Sequence, residues 1–179
     1  MKKGFNAFWS TLFSKDDHRT SLKETLQQIP IFENLSSFEL SFIIPILHKR
    51  RYKAGELIFK EDEAGNGMYI VHSGAVQVFG TDAQGKQVLY AELKEKQFLG
   101  ELSLVDGQPR SATAITQEES ELYGFFKPDL LDLIKTHPAI GSKILFNLTS
   151  VLGVRLRDTN NQLILLQNKL DNFRGVDAL

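Results

Sequence analysis

Residues 98–113 have the sequence FLGELSLVDGQPRSAT, which brings one acid and one arginine close together around two turn-forming residues. Gly100 lets the backbone approach a ligand closely, because it has no side chain to block the approach. The turn that opens at Glu101 offers unpaired N–H groups and the positive end of a dipole, which favour an anion. Arg110 carries a planar fork of donors that suits two phosphate oxygens, whereas an ionised Glu101 only accepts and suits a hydroxyl. The stretch predicts a ligand with one phosphate and one nearby hydroxyl.

The same residue types also have a plainer interpretation. A glutamate in the first turn of a helix commonly complements the helix dipole, and an arginine after a proline is usually a surface charge. Short motifs arise often by chance. The residue types of 98–113 alone therefore leave both interpretations open.

Residues 98–113 resemble the phosphate-binding cassette of the cyclic nucleotide-binding domain family. The match includes the glycine, the acid, the apolar turn and the ending Pro-Arg-Ser-Ala-Thr. The resemblance extends from about Ile31 to Pro138. Within it, IFENL at 31–35 is similar to the entry to the family's first helix, while YKAGELIF at 52–59 and MYIVHSG at 68–74 are similar to its early strands. Several separate motifs in the family's order make the resemblance specific.

The resemblance implies a 3′,5′-cyclic nucleotide as the ligand and no cofactor. Arg110 would pair with the cyclic phosphate, and Glu101 would accept a hydrogen bond from the ribose 2′-hydroxyl. Ser111 sits where some guanine-preferring members carry Thr, which favours cAMP and leaves cGMP open. The full set of ligand-binding residues implied by the resemblance is Phe98, Gly100, Glu101, Leu102, Ser103, Arg110, Ser111, Ala112, Thr159 and Asn160.

Thr159 and Asn160 join this set through a resemblance to the bacterial catabolite-activator branch, in which polar residues of the long C-terminal helix reach the base. Thr159 also falls on the apolar seam of that helix. A polar residue in such a seam is able to fix the register of two helices without touching a ligand. Both roles for Thr159 remain open.

Composition excludes several classes of protein. The chain has 179 residues, 42% of them hydrophobic, with a net charge of −1 and no cysteine. The charge gives no field that would attract nucleic acid, and the lack of cysteine excludes disulfides and thiolate chemistry. The four histidines form no catalytic pattern with other residues, so we expect no enzyme. The N-terminus lacks a signal-peptide pattern and no apolar run reaches 18 residues, so we expect a cytoplasmic protein.

Residues 1–30 are predicted to be helical. An aromatic stripe at helical spacing consists of Phe5, Phe8, Trp9, Leu12 and Phe13, preceded by two lysines. Such a stripe can lie in a membrane interface, dock on another protein or pack on its own domain. A second short helix is predicted from Ser21 to Gln28, ending before Pro30.

The middle of the chain alternates between turns and short apolar runs. Ser36 and Glu39 predict a capping box at the start of a helix. The basic run at 48–51 is interpreted as a solvated strand face rather than a nucleic-acid site. Closely spaced short strands favour an antiparallel sandwich or roll, and the resemblance makes it a β-roll. The predicted runs are 57–59, 68–71, 75–79, 88–93, 112–116 and 122–126.

Two helices complete the chain. One begins at Lys127 and is broken at His137-Pro138. The last runs from about Pro138 to Asn172, and its leucines recur at steps of three and four. So long an apolar stripe predicts a two-fold dimer, although its first half could pack on the roll while the end frays. Only about seven residues follow Asn172, too few for a helix-turn-helix, so we expect no contact with nucleic acid.

The sequence therefore predicts an α+β protein: an antiparallel β-roll flanked by N-terminal helices and a long C-terminal helix. Residues 1–30 form a helical extension, 31–137 the cyclic nucleotide-binding roll, and 138–179 a lid and dimerisation helix. The favoured function is a stand-alone sensor of cAMP that signals through helix movement to an unidentified protein partner. The alternatives are a ligand-free dimeric scaffold of the same fold, and a membrane- or partner-docked regulator acting through the N-terminal stripe.

Overall fold

The computed structural model describes residues 22–176, with side chains described as far as Asn172. The described residues contain two antiparallel four-stranded sheets, with strand orders β1-β8-β3-β6 and β2-β7-β4-β5. The strands are β1 (His48–Tyr52), β2 (Leu57–Phe59), β3 (Gly67–Ser73), β4 (Val76–Thr81), β5 (Gln87–Leu93), β6 (Phe98–Leu99), β7 (Thr113–Thr116) and β8 (Ser120–Phe126). The prediction of an antiparallel α+β roll is confirmed.

The strand bounds differ from the predicted runs by a few residues at their ends. The basic run at the start of β1 is exposed, and Lys49 and Arg51 both pair with Glu121 on the neighbouring strand β8. This confirms the solvated strand face. The two-residue strand β6 lies outside the predicted runs, because two residues are too few for an alternating pattern.

Helices surround the roll. Ser36 accepts from the backbone of Glu39 while the Glu39 carboxylate accepts from the backbone of Ser36, so the capping box is confirmed. The last helix continues four residues past the predicted end at Asn172. The helices are α1 (22–27), α2 (Ser37–Ile43), α3 (Glu101–Val105), α4 (Lys127–Thr136) and α5 (Pro138–Val176), with 3-10 turns at Pro30–Phe32 and Ile44–Ile46.

Two apolar clusters hold these elements together. The larger cluster joins α1, α2, α4 and the first half of α5 to one face of the first sheet, and Ile144 and Leu148 of α5 are buried in it. The smaller cluster fills the roll between the two sheets around Tyr52 and Leu122. Because α5 is buried only as far as Leu148, its second half projects from the domain.

The predicted aromatic helix, with Phe5, Phe8, Trp9, Leu12 and Phe13, lies outside the described residues. The second predicted helix is confirmed as α1, whose Leu22 and Leu26 are buried. The division of the chain after residues 30 and 137 stays a prediction.

Candidate functional site

A cavity of about 510 Å³ opens between the second sheet, α3 and α5. Its volume lies within the range typical of small-molecule sites. All eight of the predicted residues between 98 and 112 line it. The structure therefore brings the acid and the arginine of the 98–113 stretch to one cavity, as the sequence predicts.

Gly100 shapes the cavity wall where β6 ends and α3 begins. Its φ of 77° is left-handed, a conformation that glycine adopts without strain. A Cβ atom at this position would lie 2.4 Å from Nη1 of Arg110. The glycine therefore provides both the turn into α3 and the room for the Arg110 side chain.

Arg110 is buried, with 5% of its surface exposed. Its Nη1 donates to the carbonyl oxygens of Gly67 at 2.6 Å and Gly100 at 3.2 Å, while its Nε has no hydrogen-bond partner among the described residues. The guanidinium carbon lies 4.2 Å from the centre of the Phe59 ring. Within residues 22–172, no carboxylate lies within ion-pair distance of this cation. A buried charge is costly unless it is paired, so this arginine favours an incoming anion.

The burial of Arg110 also affects its pKa. Burial lowers the pKa of Arg110 from its ordinary value, because removal from water disfavours the charged form, while the charges of Glu101 and Glu63 oppose that effect. An arginine nevertheless stays protonated at neutral pH. The backbone of the same residue is fixed by hydrogen bonds to Asp62 and Glu63 at 2.9 and 2.8 Å. The cation is thus positioned before any ligand arrives.

Glu101 is buried, with 3% of its surface exposed, and its carboxylate forms an ion pair with Arg155 of α5. The Arg155 side chain is about half exposed, and its guanidinium lies 5.1 Å from the centre of the Phe98 ring. A carboxylate has room for several hydrogen bonds, so Glu101 keeps capacity to accept from a further donor. The pair ties the long helix α5 directly to the cavity.

Arg155 is a site residue that sequence reasoning missed. It lies one turn before Thr159 on the same face of α5, and the spacing of four was the available signal. Thr159 and Asn160 do not line the cavity; both are exposed, and the Thr159 hydroxyl donates to the Arg155 carbonyl at 2.9 Å. Their contact with a base stays a prediction.

A second missed group consists of cavity-lining residues on the strands. It comes from the hairpin of β4 and β5 and from strands β2 and β6, and its side chains are largely apolar. Sequence alone does not reveal which face of these strands points inward, because residues 88–91 of β5 are all apolar and show no alternation with polar residues. The missed wall residues are Phe59, Val78, Tyr90, Ala91, Leu93 and Leu99.

The described residues contain no group of three or more His, Asp or Glu side chains that could hold a metal ion. Among the described residues that line the cavity, the buried charged groups are the cation of Arg110 and the carboxylate of Glu101, and much of the remaining lining is apolar.

Comparison with known proteins gives one consistent result. Residues 49–137 match the family model described as "Cyclic nucleotide-binding domain". The chain is 34% identical over 137 residues to the "Cyclic AMP receptor protein" of Thermus thermophilus, covering 76% of this chain and 62% of that protein. It is 34% identical over 107 residues to a "cAMP-dependent protein kinase regulatory subunit" of Mycosarcoma maydis, covering 59% of this chain and 20% of that protein.

Among solved structures, the catabolite activator protein of Thermus thermophilus superposes with a TM-score of 0.71 at 34% identity. The match covers 77% of this chain and 63% of that one. The chain therefore spans under two thirds of the length of these relatives. The family-model match at 49–137 contains the described cavity residues except Arg155.

Proposed function

This chain belongs to the cyclic nucleotide-binding domain family, and on that premise we propose that it is a sensor of cAMP. The observation that carries the proposal is Arg110, a buried cation without a carboxylate partner in the described part of the chain, beside Glu101 in one cavity. A cyclic phosphodiester carries a single charge near neutral pH. One buried guanidinium therefore matches it in charge and in geometry.

The nucleotide would lie with its phosphate at Arg110 and its ribose 2′-hydroxyl at Glu101. The base would then extend toward the apolar wall of Val78, Tyr90 and Leu93. Aromatic and aliphatic side chains stack on the face of any base, so this wall supports base binding without selecting one base. The preference for cAMP rests on Ser111 and on the names of the relatives.

The signal would pass through α5. In the described conformation Arg155 holds Glu101, so a ribose that approaches this carboxylate must share or replace the Arg155 contact. Either response changes how α5 is held against the roll. A ligand shifts such an equilibrium only by its different affinity for the two conformations, and Glu101 is where that difference would arise.

The projecting half of α5 supports a homodimer. Exposed leucines recur along one side at Leu156, Leu163 and Leu170. By length and composition alone, α5 also meets the criterion for a membrane span. We favour pairing of two copies of α5 along these leucines over a membrane span, because the first half of α5 is packed in the core. In addition, Arg155, Arg157 and Asp158 interrupt its apolar run. The predicted cytoplasmic location is retained on the same grounds.

Titration of the purified chain with cyclic nucleotides tests the proposed ligand. We expect isothermal titration calorimetry to give one site per chain, with cAMP bound more tightly than cGMP or cyclic di-GMP. 5′-AMP serves as the control, because it has the same base and ribose as cAMP but carries a phosphate monoester instead of the cyclic phosphodiester. A protein that gives no heat with any cyclic nucleotide would instead be a ligand-free scaffold.

Replacing a seam leucine tests the proposed dimer. We expect Leu163→Asp to convert a dimer to a monomer in sedimentation equilibrium, because each buried leucine lost from a packed interface costs about 2–5 kcal/mol. Asn168→Asp is the matched control, since Asn168 is exposed on the other side of α5. Equal masses for the two variants would refute this seam.

A further inference from the structure

A second groove lies between α5 and the loop after the first 3-10 turn, and it shares Arg155 with the nucleotide cavity. It has a volume of about 490 Å³ and is lined mainly by apolar atoms, with Pro30 and Asn34 on one side and Phe146, Ser150, Val154 and Arg155 on the other. Phe146 is 72% exposed and Val154 50% exposed. An aromatic ring this exposed beside a concave apolar surface indicates that something covers it.

The proposed dimer would leave this groove open. Val154 and Leu163 are nine residues apart, and at 3.6 residues per turn such a spacing places them on opposite sides of a helix. Phe146, Ser150 and Val154, at steps of four, form one stripe, while the seam leucines form another. The occupant of the groove must therefore come from somewhere other than the two-fold seam.

The chain contains a segment that matches this groove. Residues 5–13 carry the aromatic stripe of Phe5, Phe8, Trp9, Leu12 and Phe13. Eight residues separate Phe13 from Leu22, and an extended chain of that length reaches about 26–29 Å. Pro30, at the edge of the groove, is itself only eight residues beyond Leu22. The groove lies within reach of the segment.

Charge also agrees with this pairing. Among the described residues the groove is lined by one carboxylate, the exposed Glu33, and by one cation, Arg155, which is already paired with Glu101. The segment is preceded by Lys2 and Lys3. Opposite charges at the rim of an apolar contact favour one orientation over the reverse. A second copy of the chain, packed through the same groove, would instead bring another Phe146 and another Glu33 into a groove that already has both.

We propose that residues 5–13 of the chain dock in the groove formed by Phe146, Ser150 and Val154 of α5. Arg155 lines this groove as well as the nucleotide cavity. The docked segment thus packs against the turn of α5 that contacts Glu101. The groove is an internal docking surface, and it connects the N-terminal stripe to the helix that carries the proposed signal.

The first test uses Trp9, the only tryptophan in the chain, as a reporter in the absence of nucleotide. We expect its emission to be that of a shielded indole, and Phe146→Asp to shift it to longer wavelength and raise acrylamide quenching. Ser142→Asp is the control, since Ser142 is exposed one turn earlier on α5 and does not line the groove. Thermal melting verifies that both variants are folded, as expected from the exposure of both positions.

Two outcomes would overturn the proposal. Trp9 emission that is unchanged in Phe146→Asp would show that the segment is elsewhere. Emission that becomes shielded only when vesicles of phosphatidylglycerol and phosphatidylcholine are added would assign the stripe to a membrane surface. Neither readout uses nucleotide, so this proposal fails or holds independently of the proposed cAMP site.

A disulfide fixes the pairing, because the natural chain has no cysteine to compete. We expect the full chain with Leu12→Cys and Ser150→Cys to form an intramolecular disulfide under mild oxidation. Leu12→Cys with Ser142→Cys, the control, should keep its free thiols. A disulfide-linked dimer as the product would instead show that the segment docks on a second copy, and free thiols in both variants would refute the docking.

Discussion

Arg110→Met should abolish most of the affinity for cAMP. The side chain is buried, and among the described cavity residues it is the only cation without a carboxylate partner, because Arg155 is paired with Glu101. Loss of one partner from a buried charge pair costs about 2–5 kcal/mol, which corresponds to a loss of about 30-fold to several thousand-fold in affinity. Calorimetric titration of the variant beside the wild-type chain measures this change.

Two further variants separate charge from geometry. Arg110→Lys keeps the charge but loses the planar fork, so we expect it to recover only part of the affinity. Arg157→Gln removes an exposed arginine that does not line the cavity and should bind as the wild type does. Equal affinity for cAMP in Arg110→Met and Arg157→Gln would show that the phosphate lies elsewhere.

A stability measurement guards against a folding artefact. Arg110 donates to the carbonyls of Gly67 and Gly100, and Arg110→Met leaves both acceptors without that donor. The free variant could therefore melt at a different temperature from the wild type for reasons unrelated to binding. A ligand present at 100 times its Kd stabilises the protein by about 2.7 kcal/mol. We expect excess cAMP to raise the wild-type Tm and to leave the Tm of Arg110→Met in place.

The sequence predicts the parts of the site that lie close together along the chain. Gly100, Glu101 and Arg110 fall within eleven residues, and their roles follow from local chemistry: a left-handed turn, an acid and a forked cation. The capping box at Ser36 and the break at Pro138 are local in the same way. Each depends on a few neighbouring residues, so one sequence is enough to find it.

Contacts between distant elements were harder to predict. Arg155 reaches Glu101 from 54 positions away, and the choice among Arg155, Thr159 and Asn160 depends on how α5 is rotated against the roll. Ile144 and Leu148, which pack in the core near the start of α5, set that rotation. The exposed leucines in the second half of α5 do not indicate it, because they lie outside the core. Tyr90 was missed because it lies in an unbroken apolar run at 88–91, where no alternation with polar residues indicates which side chains face inward.

Glu101→Gln should weaken the preference of the chain for cAMP over 2′-deoxy-cAMP. A hydrogen bond to an ionised group contributes about 1.5–3 kcal/mol and one to a neutral group about 0.5–1.5 kcal/mol. The wild-type chain should therefore prefer the ribose by about 10-fold to 150-fold, and the variant by about 2-fold to 12-fold. Competition titrations with the two nucleotides give both ratios. Glu118→Gln, an exposed glutamate outside the cavity, is the matched control.

Arg155 determines how strict this selection is. A carboxylate left without a partner is costly to bury, and it would strongly reject a 2′-deoxy ligand. Glu101 is different because Arg155 can hold it when no hydroxyl is present. In Arg155→Gln the carboxylate loses that ionic partner, so we expect the preference for cAMP over 2′-deoxy-cAMP to rise above the wild-type value. If Glu101→Gln and Arg155→Gln both leave the ratio of affinities for cAMP and 2′-deoxy-cAMP unchanged, the ribose hydroxyl does not bind Glu101. The sugar would then have no contact through which it could displace Arg155 and move α5.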